Sequence, residues 1–165
     1  MLKKIKIGNK IISESNDVYL VAEIGINHNG DLNNAFKLID NAKKYNFDAV
    51  KFQKRTINVV YDKEELERFR ESPFGKTNGD LKNGLEFDYE EYLKIDNYCK
   101  KNEIDWFCSP WDEASVDFLE KFNPICYKLA SASITNIGLL EYIKSKSRPI
   151  IMSTGMSTLE EIDKA

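Results

Sequence analysis

The sequence predicts an α/β fold in which about five parallel strands are covered by helices. Two observations carry this. Short, nearly all-apolar runs alternate with longer stretches whose apolar residues recur at helical spacing. The alternation then repeats with no linker or composition break, so a single domain accounts for all 165 residues.

The elements follow in chain order. KIKIGNKII predicts a small hairpin, residues 4–7 and 10–12, turning at Gly8-Asn9. A strand over 18–24 precedes a helix capped by Asp31, with the apolar stripe Leu32, Ala35, Phe36, Ile39 and Ala42. A short strand over 49–53 comes next. Asp88, with Glu91 three residues on, has the form of a capping box and starts a helix through Tyr92, Leu93 and Cys99. A strand over 105–108 precedes a helix carrying Val116, Leu119 and Phe122. Another over 125–129 precedes one carrying Ile137, Leu140 and Ile143. A last strand, 149–153, leads to a start signal at Ser157 with Glu160 three on. Residues 55–87 read as one long irregular stretch, and excursions of that length in compact domains are usually functional. Within it, DKEELERFR (62–70) mixes both signs and reads as a solvated helical face.

Composition narrows the function. Hydrophobic residues make up 42% and charged residues 31%, with a net charge of −3 and both signs scattered. That balance is ordinary for a soluble protein and argues against a nucleic-acid or membrane surface. No run of eighteen apolar residues exists, and the start MLKKIKIGNKII has no apolar region before Gly8 to make a secretory signal. Cys99, Cys108 and Cys126 are odd in number and form no C-x-x-C pair, so they read as reduced core thiols of a cytoplasmic protein. G-x-G-x-x-G and the P-loop are absent, which removes the best support for a nucleotide-binding doubly wound sheet.

Polar residues gather where the apolar strands end. The first strand supplies Glu23, then Asn27 and His28; the second, Lys51 and Gln53; the third, Ser109; the fourth, Lys128 and Ser131; the fifth, Ser153 and Thr154. In parallel α/β folds ligands bind at these carboxyl ends, where the loops surround one mouth. A buried unpaired charge costs several kcal/mol, so a core strand rarely carries one idly. Glu23 can neutralise only one of two strand lysines. A small, highly negative ligand suits the remainder, with Ser109, Ser131 and Ser153 as hydroxyl donors. Ser153-Thr154-Gly155 before a helix start has the form of a phosphate seat. Singly, each residue has a plainer role: a lysine on a sheet edge, a serine capping a strand end, a glutamate pairing with a neighbouring lysine. Their recurrence at equivalent points of four or five units is what favours a site. His28, the only histidine, sits in an Asn-Gly loop. It reads as site-lining, and by itself is no metal site. Trp106 and Phe107 read as core; Trp111 reads as core or site wall.

With these motifs in view, the chain resembles the sialic acid synthase family, which condenses phosphoenolpyruvate with an N-acetylated amino sugar. AEIGINHNGD, AVKFQ, FCSPWD, YKLASASITNIGLLEY and IIMSTGMSTLEEI carry the resemblance, in order, over essentially the whole chain. It implies a (β/α)8 barrel followed by a small antifreeze-like domain in a domain-swapped dimer. A barrel typically needs about 250 residues. Residues 1–165 are therefore expected to be the N-terminal part of the barrel, without its later strands or the antifreeze-like domain. Glu23 matches the family's catalytic glutamate. Lys51, Ser109, Lys128, Ser131 and Ser153 match positions that hold phosphoenolpyruvate, and Asn27, His28, Gln53 and Ser133 fall on the sugar side. Family members often carry an acid where Ser133 stands. The SITN that follows resembles branches acting on bacterial diacetamido sugars.

The resemblance also implies a divalent metal, Mn or Mg, held by two histidines expected beyond Ala165, and no metal site within the chain. N-acetylmannosamine, its 6-phosphate and a 2,4-diacetamido-6-deoxy hexose all remain open as acceptor. Two other readings stand beside this one. The first is a barrel aldolase or isomerase acting on sugar phosphates, since Schiff-base aldolases also use strand lysines. The second is a non-catalytic fragment that binds phosphorylated ligands. A half-barrel with two open edges is expected to be marginal, self-associating and inactive on its own.

Overall fold

The computed structural model describes residues 4–165. Ile5–Ile7 (β1) and Lys10–Ile12 (β2) pair antiparallel around the Gly8-Asn9 turn, as the sequence predicts. Five strand-helix units follow. Val21–Gly25 (β3) leads to Leu32–Lys44 (α1), whose cap is Asp31 accepting from the Asn33 amide at 2.8 Å. Ala49–Lys54 (β4) opens the second unit. Before its main helix come Ile57–Val60 (α2), Lys63–Glu67 (α3), a hairpin of Phe69–Ser72 (β5) with Gly75–Thr77 (β6), and Asn78–Gly84 (α4). Tyr89–Lys101 (α5) then starts in the expected Asp88/Glu91 capping box. Asp105–Pro110 (β7) with Glu113–Glu120 (α6), Tyr127–Leu129 (β8) with Ile137–Ser145 (α7), and Ile150–Met152 (β9) with Leu159–Lys164 (α8) complete the chain.

Several expectations shift. β3 begins at Val21 rather than 18: Val18 and Leu20 are exposed, and the pairing with β4 starts at Val21 opposite Ala49. Leu20 is instead held by Asp48, whose carboxylate accepts its amide at 2.7 Å. The last helix is capped by Thr158 with Glu161, one residue past the expected pair, since the Ser157 hydroxyl is turned back to the Gly155 carbonyl. Phe122 lies just beyond the end of α6 but is still buried. Residues 55–87 are ordered into short elements rather than irregular. The charge-dense run is helical only over Lys63–Glu67 before Phe69 enters a strand.

The central sheet has the order β3-β4-β7-β8-β9 and every pairing is parallel. Spatial order follows chain order without reversal. A doubly wound sheet reverses and creates a switch point; here each unit adds to the same edge, which builds the wall of a (β/α)8 barrel. The helix-facing side carries Ile24, Val50, Phe52, Cys108, Tyr127 and Leu129 against Ala35, Ile39, Tyr92, Ile95, Val116, Leu119 and Ile143 in one apolar cluster. Each large side chain so buried contributes about 1.5–3 kcal/mol. On the other side, near the amino ends of the strands, Ala49, Phe107 and Cys126 pack with Ile7 of the β1–β2 hairpin. Cys99, Cys108 and Cys126 are free and buried, and burial pushes the Cys108 and Cys126 thiols up to about 12. Among the described residues no helix is long and apolar enough to cross a membrane.

Candidate active site

Strand register assembles the site. Glu23 of β3 is paired with Lys51 of β4, and Gln53 of β4 with Ser109 of β7. Cys108 pairs with Tyr127, which sets Ser109 beside Lys128 one step along. Alternate residues of a strand share a face, so Glu23, Lys51, Gln53, Ser109 and Lys128 all belong to the face opposite the helices. They stand above the apolar layer of Ala49, Phe107 and Cys126. Glu23 ends the regular part of β3: the register slips between Glu23 and Gly25, and Gly25 adopts φ +55°, a left-handed turn that glycine tolerates without strain.

Side-chain contacts join some of these groups directly. Lys51 Nζ lies 2.7 Å from Glu23 Oε2, with the lysine side chain only 10% exposed and the glutamate 58%. Lys128 donates to the Leu129 carbonyl at 2.9 Å and to the Ser153 hydroxyl. Burial lowers the Lys128 pKa, and the nearby Lys51 charge lowers it further; Glu23 acts in the opposite sense. Ser131 opens a short 3-10 turn, Ser131–Ser133, and lies against Gly155, where an added methyl would stand 3.6 Å from its Cβ. Ser109 is 2% exposed and its hydroxyl has no protein partner. Two cations thus share one carboxylate, and a desolvated hydroxyl waits beside them. That arrangement stabilises an added anion.

The remaining sequence-predicted residues divide. Gln53 is half-buried beside Ser109, and Asn27 is exposed in the loop after β3. Ser133 is buried within its turn. His28 is placed as a core residue. It is 3% exposed and stacks on Phe87 with ring centroids 4.0 Å apart. Its Nδ1 accepts from the Gly30 amide at 3.1 Å. Burial pushes its pKa down to about 4, with the Arg55 charge assisting and the Gly25 backbone opposing.

Two groups escaped sequence reasoning. Glu86 bonds both Arg55 Nε (2.6 Å) and Lys54 Nζ (3.4 Å), although it lies at the far end of residues 55–87. Asp112, 6% exposed, accepts from the amide and hydroxyl of both Thr56 and Ser115 at 2.7–2.9 Å. The run KFQKR signals the cations, but nothing in it announces their partner. Among the described residues no cluster of three or more His, Cys, Asp or Glu side chains gathers to hold a metal.

Comparison with known proteins decides the family. The NeuB family model matches residues 38–165. The chain belongs to the NeuB family. This NeuB-family chain is 36% identical over 160 residues to an N-acetylneuraminate-9-phosphate synthase of Drosophila melanogaster, covering 94% of its own length and 43% of the relative's. It is 33% identical to the N,N'-diacetyllegionaminic acid synthase of Legionella pneumophila, covering 94% and 44%. The crystal structure of the N-acetylneuraminic acid synthetase from Leptospira borgpetersenii, solved with citrate, superposes with TM-score 0.81 at 30% identity, over 98% of this chain and 53% of that one. The chain therefore spans under half the length of the curated relatives it matches.

Proposed function

We propose that the protein carrying this chain condenses phosphoenolpyruvate with an N-acetylated amino sugar, forming a nonulosonic acid and releasing phosphate. The observation that supports this most is the meeting of Glu23, Lys51 and Lys128 at one strand-end mouth. Phosphoenolpyruvate carries a carboxylate and a phosphate on three carbons, and the excess positive charge there suits it. Lys51 and Lys128 hold the two anionic groups, and Ser109, Ser131 and Ser153 donate to their oxygens. Because these donors are fixed before the ligand arrives, little reorganisation is needed as charge develops.

In the reaction the methylene carbon of phosphoenolpyruvate attacks the aldehyde carbon of the open-chain sugar; a C–C bond forms as the aldehyde π pair moves to its oxygen, which takes up a proton to become a hydroxyl. Water adds to the resulting cationic carbon. The C–O bond to phosphate then breaks, leaving the keto acid. Glu23, exposed toward the mouth and held by Lys51, takes the proton from the adding water. Gln53 and Asn27 lie on the sugar side; His28 supports them from within the core. The divalent cation of the resemblance, Mn or Mg, finds no ligand set among these residues, so no step here runs through it. A homodimer of the intact protein belongs to the same reading.

In the intact protein, Glu23→Gln is expected to keep phosphoenolpyruvate binding and lower turnover by about 100-fold or more. Unchanged turnover would remove Glu23 from the chemistry. Borohydride trapping of a covalent adduct on Lys51 or Lys128 would replace the reading with a Schiff-base aldolase.

A further inference from the structure

A second concavity opens at the same rim. It is a cleft of about 670 Å³ between the loop after β3 and the start of α1, which contribute Asn27, Asn29 and Asn34, and residues 55–87, which contribute Arg55, Arg70 and Lys82. Its size is that of a small-molecule site. Asn27, in the turn directly after β3, lines the cleft, which sets it on the carboxyl-end side of the sheet.

Its charge is unbalanced. The lining holds three cations and one acid, Asp31, whose carboxylate is occupied in capping α1. Arg55 is 4% exposed. Its Nε meets Glu86 at 2.6 Å and its Nη1 meets the Tyr61 hydroxyl at 3.1 Å, but its Nη2 is buried with no partner. Glu86 cannot offset the whole charge, because it also serves Lys54 and the Arg55 amide. Arg70 reaches only the Asn78 side-chain oxygen, at 3.4 Å, and Lys82 lies over the Tyr61 ring at 4.7 Å. Among the described residues neither has a carboxylate within ion-pair distance. A desolvated guanidinium nitrogen without an acceptor costs free energy unless an anion supplies one.

We propose that this cleft binds a phosphomonoester, the phosphate at the far end of the acceptor sugar. The inference rests on the condensation proposed above and selects among its acceptors. A phosphate dianion takes donors from Arg70 and Lys82, with the under-neutralised guanidinium of Arg55 behind them, and guanidinium groups match its oxygens in pairs. The asparagine amides of the facing loop meet neutral hydroxyls. A 6-deoxy hexose has no oxygen at that position to carry phosphate, and unphosphorylated N-acetylmannosamine brings no charge. Both leave the three cations unanswered. The acceptor assigned by the cleft is therefore a phosphorylated N-acetylhexosamine.

Calorimetric titration in phosphate-free buffer tests this. The intact protein carrying Glu23→Gln is first saturated with phosphoenolpyruvate, which fills the seat at Lys51 and Lys128 and prevents turnover. N-acetylmannosamine 6-phosphate should then bind about 100-fold tighter than N-acetylmannosamine, the gain of charge-assisted hydrogen bonds. Arg70→Met and Lys82→Met should each lower that preference about tenfold and leave phosphoenolpyruvate affinity unchanged. Arg55→Lys, which keeps the charge beside Glu86, should lower it while retaining the melting profile. Equal affinity for the two sugars, or a preference that none of these variants changes, overturns the assignment. Inorganic phosphate binding as tightly as the sugar phosphate also overturns it, since the cleft would then take free phosphate. If phosphoenolpyruvate itself fails to bind, the condensation reading falls. If it binds and the sugar preference is missing, only the present inference falls.

Discussion

Protonating His28 would disrupt its surroundings twice. The ring is buried against Phe87, and its Nδ1 is already an acceptor for the Gly30 amide, so a proton there would set donor against donor. The folded-state pKa of about 4 lies below the ordinary value of 6.5. Between those values the unfolded chain binds the extra proton, so stability falls as pH drops from about 6.5 through about 4. The loss approaches about 3 kcal/mol. His28→Gln should flatten that part of the stability profile in urea melts at stepped pH, and an unaltered slope would show that His28 contributes nothing. Ser109 predicts the opposite trade. Its hydroxyl is buried without a partner, so Ser109→Ala should leave thermal stability unchanged or raise it by up to about 1 kcal/mol. The same change should weaken phosphoenolpyruvate binding about tenfold, and undiminished binding would take Ser109 out of the site. Residues on strands were legible because period-two alternation dictates which face they share. His28 was not, since nothing local tells which way a loop ring folds, and Phe87 belongs to a distant part of the chain.

The helices that announce themselves do so through their first turns. Asp31 and the Asp88/Glu91 pair were readable because a cap followed by an apolar stripe is a local signal. The short elements of residues 55–87 carry no such stripe. Runs of four to seven residues are below the length at which a helix holds by itself. They are ordered by distant contacts: Gly30, at φ +70°, packs so closely on the Gly84 carbonyl that any side chain there would collide. Asp112 ties the same region to α6, accepting four hydrogen bonds from Thr56 and Ser115. Asp112→Ala removes the cap and orphans these donors, and should cost about 3 kcal/mol in denaturant unfolding. A cost below about 1 kcal/mol would mean that water replaces the carboxylate.

At the scale of the molecule, the strand count and their parallel order were legible, because each unit repeats the same apolar rhythm. Sheet curvature was legible only through the resemblance, since no residue pattern tells an open sheet from a barrel wall. Among the described residues, β3 and β9 each pair on one side only. Exposed backbone donors and acceptors of this kind recruit other chains. Residues 1–165 on their own are therefore expected to self-associate in sedimentation at micromolar concentration. A monomer with a cooperative melt at low concentration would contradict this.

The β1–β2 hairpin covers one end of the sheet. Ile7 lies over Ala49, Phe107 and Cys126, so the chain itself occupies the amino-end side of these strands and leaves the carboxyl-end side for approach. In the condensation proposed above, reactants and product share that one side, and release there becomes a natural bottleneck for turnover.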